Sequence, residues 1–137
     1  MAIGKLAALA GVVIFCAGTA HAACDAPALV EQCKGKLEAG YAVLNTYELD
    51  GAAKETDTFA DDHVLTSSMS YQVAICGGDD VEFVLETGAR KPVLDNKGDD
   101  GLQQMTTIKV ESASVYYLVF KAPSQDICAG AVLGMKR

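Results

Sequence analysis

The side chains Asp79, Asp80, Asp95, Asn96, Asp99, Asp100 and Asp126 fall in three short polar stretches separated by apolar runs. Carboxylate and amide oxygens are the hard ligands that calcium takes, roughly six to eight at a time. The stretch from Asp95 to Gly101 has the outline of a calcium loop, with Lys97 where such loops place an acid. The same residue types also favour turns. Exposed carboxylates about 5 Å apart repel by only about 1 kcal/mol in a water-like dielectric, so such a group persists without a cation. Calcium is therefore a candidate ligand, and no cofactor is required.

A second constellation has the residue types of a nucleophilic hydrolase: Ser67 or Ser70, His63, and Asp61 or Asp62. These crowd one segment and lack a nucleophile elbow such as G-x-S-x-G, and His63 after two acids reads as a loop or strand-edge residue. Paired carboxylates for glycoside hydrolysis have no cleft-forming insertion to hold them. The chain has no Trp to serve as a flat stacking platform for sugars, leaving its tyrosines. Gly77-Gly78 and Thr87-Gly88 lack the context of a phosphate-binding loop and read as hairpin turns.

The cysteines speak of compartment. Lys5, the apolar stretch Leu6 to Ala17 and the small residues ending in Ala20-His21-Ala22 form a secretion leader over residues 1–22, cleaved before Ala23. Its apolar part is too short for a bilayer span of about 20 residues, and no other segment comes close. Cys24 beside the cleavage site raises lipidation, against which His21 stands three positions earlier. Cys16 leaves with the leader, and Cys24, Cys33, Cys76 and Cys128 remain as an even set. The pairing favoured is Cys24 with Cys33, which is local, and Cys76 with Cys128, which lie in strand-like segments. Zinc is disfavoured by the lack of CxxC and by the single mature histidine, His63.

The elements that must position these groups change period once. Residues Asp25 to Ala39 carry Pro27 near the start, Val30, Cys33 and Leu37 at helical spacing, and Gly40 as a stop, which predicts a short N-terminal helix. From Tyr41 onward, β-branched and aromatic runs are separated by Gly, Asp, Asn and Ser, the pattern of an antiparallel all-β domain. Strands are expected over 41–49, 63–66, 71–76, 81–87, 90–94, 105–110, 115–121 and 127–135, and about eight short strands predict a β-sandwich. Tyr71, Val73 and Ile75 share one face, as do Val81, Phe83 and Leu85, with Gln72, Glu82 and Glu86 opposite. The run Val115 to Phe120 is apolar on both faces and predicts a central covered strand. If strand direction alternates, connections 77–80, 95–104 and 122–126 emerge together and bring the acids to one end.

The order VLTSSMSYQVAIC, DDVEFVLETGARKPVLDN, TTIKVESASVYYLVFKAP, DICAGAVLGMKR resembles the bacterial pre-peptidase C-terminal domain over about the last 75 residues. The matching positions are Tyr71, Leu85, Gly88, Val93, Asn96, Tyr116 and Tyr117. The resemblance implies a jelly-roll-like sandwich of the kind appended to secreted enzymes, where it helps bind substrates or, in some members, calcium.

The whole chain has 137 residues and a formal charge of -7, and loss of Lys5 with the leader makes the mature charge more negative still. Sparse Lys and Arg exclude an extended nucleic-acid surface. Residues 23–137 are expected to form one disulfide-bonded domain, periplasmic or secreted. The expected function is a non-catalytic binding or structural module whose partner is a protein or a cell-surface glycan, met through a sheet face or the acidic loops. The alternative is a small periplasmic hydrolase.

Overall fold

A computed structural model describes residues 23–137, and the expected leader, residues 1–22, lies outside the described residues. Helix α1 (Ala26–Lys34) starts where Asp25 Oδ1 accepts from Ala28 N at 3.2 Å, with Pro27 in the first turn. It ends at Gly35, short of the expected Ala39, and Gly40 at φ +91° turns the chain into the first strand.

Ten strands follow: β1 (Ala42–Asp50), β2 (Thr58–Leu65), β3 (Ser70–Cys76), β4 (Glu82–Thr87), β5 (Pro92–Asp95), β6 (Lys97–Gly98), β7 (Gly101–Leu102), β8 (Met105–Ile108), β9 (Ser114–Lys121) and β10 (Cys128–Lys136). A single turn of helix, α2 (Gly51–Lys54), links β1 to β2. The sheets run β1-β10-β3-β8 and β2-β9-β4-β5, with every pairing antiparallel and β6-β7 a small separate ribbon. With that ribbon set aside, the chain alternates sheets except at the β4–β5 hairpin, the winding of a jelly roll. The protein is thus an antiparallel β-sandwich with a short N-terminal helix.

The core lies between the two sheets. Tyr71, Val73 and Ile75 of β3 meet Phe83 and Leu85 of β4 and Tyr116, Leu118 and Phe120 of β9, all buried, as their alternation predicts. Gln72 lies on the face opposite these residues, as expected, and that reverse face of β3 is buried as well. Helix α1 and the segment after it roof this sheet, and Gln72 Oε1 accepts from Glu38 N at 3.1 Å. The roof sits close where β10 carries glycine on either side of buried Val132: a Cβ at Gly130 would lie 2.5 Å from Val30 N, and one at Gly134 2.8 Å from Leu37 Cδ1.

The disulfides join Cys24 to Cys128 and Cys33 to Cys76, correcting the expected Cys24–Cys33 and Cys76–Cys128 pairs. The reason is the roof. Helix α1 crosses β10 and β3, so Cys33 meets Cys76 on the sheet beneath it, while Cys24 before the helix meets the start of β10. Proximity in sequence counted for less than the helix axis, which carries Cys33 away from Cys24.

The outer face of the second sheet is buried at one end and open at the other. Strand β9 is central, as expected, and its outward Val119 is buried. Further along the same face, however, Val115 is 40% exposed, beside Val64 at 60% on β2.

Candidate functional site

Strand alternation places the connections 77–81, 96–104 and 122–127 at one end of the sandwich, with Asp79, Asp80, Asp99, Asp100 and Asp126 exposed there. Yet among the described residues no group of three or more His, Cys, Asp or Glu side chains is placed to hold a metal ion. Asp95 Oδ1 accepts from Lys97 N at 2.9 Å, a turn bond. Asn96 belongs to the interior. It is 1% exposed, its Oδ1 accepts from Phe83 N at 2.8 Å, and its Nδ2 donates to Val81 O and Gln103 O at 3.0 Å each. That is a correction to its reading as a calcium ligand: the amide is taken up in tying the β6-β7 excursion to β4.

The hydrolase constellation is not assembled either. Asp61 and His63 point inward along β2, where Asp61 Oδ2 accepts from Tyr47 OH at 3.0 Å and from Asn45 Nδ2 at 3.1 Å. His63 Nδ1 is buried without a hydrogen-bond partner, so no carboxylate orients the ring as a triad requires. Burial, and then the neighbouring Asp61 charge, push the Tyr47 phenol far above its ordinary value of 10.0. Tyr47 therefore serves Asp61 as a neutral donor. Strand β2 is a sheet edge, and inward polar groups are one way an edge is kept from pairing with strands of other chains.

Ser67 and Ser70 go elsewhere. With Tyr41, Ser68, Met69, Lys109, Lys136 and Arg137 they line a hollow of about 300 Å³ at the end opposite the acidic connections. Beside it, a cavity of about 500 Å³ enters the open seam between β5 and the segment after β8, with Leu85, Leu94, Val110 and Tyr116 inside and Lys109 and Glu111 among its polar residues. Tyr116 OH donates to Ser112 O at 3.0 Å and ties down the β8–β9 loop.

The outer face of the β2-β9 pair is the remaining feature. Val64 lies opposite Val115, and Asp62 opposite Tyr117. Tyr117 is half-buried, with the Arg90 guanidinium 4.3 Å above its ring, and Arg90 Nε donates to Glu86 Oε1 at 2.8 Å. Sequence reading missed this patch, because it treated the run from Val115 to Phe120 as covered on both sides. The exposed apolar residue at position 64, among acids, was the available signal.

No family model matches the chain, and no curated protein matches it. The resemblance to pre-peptidase C-terminal domains therefore rests on the residues that carry it. The crystal structure of Aeromonas hydrophila PliG, a periplasmic lysozyme inhibitor of g-type lysozyme, aligns with a TM-score of 0.46 and 13% sequence identity, covering 71% of this chain and 85% of that one. At that level the likeness identifies neither family nor partner.

Proposed function

We propose that this chain is an exported, non-catalytic binding module that docks a partner protein on the outer face of the β2-β9 pair. One observation carries the reading: the first sheet is roofed by a disulfide-fastened helix, whereas the second leaves Val64 and Val115 side by side in solvent. A contiguous apolar patch with a charged rim is the anatomy of a protein interface. Tyr117 and Arg90 are of the residue types that dominate binding energy in such patches, and their stacking limits the entropy lost on docking. The two disulfides fit an oxidising compartment. The scattered triad candidates support a role without catalysis.

The test is a photo-crosslinking amino acid placed at position 64 in the producing cell, with position 54 on α2 as the control site. The expected result is an adduct with a different protein at position 64 only, lost in Val115→Asp. Adducts solely with a second copy of the chain, or equal labelling at both positions, would overturn the reading.

A further inference from the structure

Independently of the sheet face, we propose that the hollow between the β2–β3 loop and the end of β10 binds a phosphate monoester. The chain is strongly acidic, yet Lys109, Lys136 and Arg137 converge on this hollow with no Asp or Glu among its lining residues. The ion pairs among the described residues involve Lys34, Arg90 and Lys97, so these three cations are not neutralised within the fold. Ser67, Ser68, Ser70 and Tyr41 add hydroxyl donors around them. A single carboxylate answers only one of the three charges, whereas a phosphate monoester brings a charge of about -1.5 to -2 and three strong acceptor oxygens. The volume of about 300 Å³ is at the lower end of small-molecule sites and leaves room for a small organic group.

Part of the lining is held before any ligand arrives. Buried Tyr71 accepts from Thr66 N at 2.9 Å and fixes the root of the serine loop. Thr66 Oγ1 and Ser68 Oγ lie 3.2 Å apart, and Tyr41 OH and Ser70 Oγ 2.8 Å apart. Lys136 Nζ sits 5.7 Å from the centre of the Tyr41 ring. Its stem passes over Gly40, where a Cβ would lie 3.1 Å from Lys136 Cε, so the absent side chain lets the ammonium reach across. Such preorganisation lowers the entropy cost of gathering several flexible donors on one anion.

Calorimetric titration of the oxidised protein with glycerol 3-phosphate tests the site, with acetate at matched ionic strength as the control. Saturable binding is expected, weakened at least tenfold in Lys136→Gln and in Lys109→Gln and less in Ser70→Ala, with thermal melts confirming that each variant folds. Val64→Asp should leave the titration unchanged, which separates this site from the docking face. Binding that acetate reproduces, or that survives both lysine substitutions in folded protein, would overturn the assignment, as would no saturation by millimolar phosphate ester.

Discussion

Asn96 and Tyr47 are polar side chains whose surroundings decide what they do. Asn96 satisfies one backbone N–H and two carbonyls in the interior, so Asn96→Ala leaves buried groups without partners. A loss of about 2–3 kcal/mol is expected, read from urea unfolding. The sequence showed an amide oxygen beside acids; that the oxygen meets Phe83 N depends on how the chain returns from β5, which no local pattern encodes. For Tyr47, the folded-state value is raised above the unfolded one. Its contribution is complete below about pH 10 and falls away as the pH rises beyond that, because the unfolded chain then releases the proton first. The decline of the urea midpoint above about pH 10 should accordingly be shallower in Tyr47→Phe than in the parent protein, while the lost donor to Asp61 lowers stability at neutral pH by about 1–2 kcal/mol.

Among the elements, the strands with one face inward were legible because burial on one side imposes a period of two, as in Tyr71 to Ile75 and Val81 to Leu85. Strand β2 begins at Thr58, five residues before its expected start, because Asp61 and His63 occupy inward positions and break the apolar alternation. Gln72 takes the face opposite the core, as its alternation predicts, yet it is buried, since a polar residue marks a wet face only when nothing packs over it. The roof over β3 makes two tests. Gly130→Ala should cost about 1–3 kcal/mol, because the new methyl meets helix backbone rather than a movable side chain. Peptide mapping under non-reducing conditions should join Cys24 to Cys128 and Cys33 to Cys76, and peptides joining Cys24 to Cys33 would refute the helix placement.

At the scale of the whole molecule, charge is divided along the sandwich axis. Asp79, Asp80, Asp99, Asp100 and Asp126 crowd the connections at one end, while Lys109, Lys136 and Arg137 surround the hollow at the other. Repulsion at the acidic end is screened by any electrolyte. Melting temperature should therefore rise modestly with sodium chloride and equally with calcium chloride at the same ionic strength; a larger calcium effect would require the acids to converge in a way they do not here. Strand β10 has a consequence for biogenesis. It follows the other described strands in sequence, yet it sits between β1 and β3, carries the glycine on which α1 rests, and holds the partner of Cys24. A growing chain therefore has no seat for its first helix and no neighbour for its first strand until that segment has emerged. Folding of this domain must wait for β10, and until it arrives the first sheet stays open.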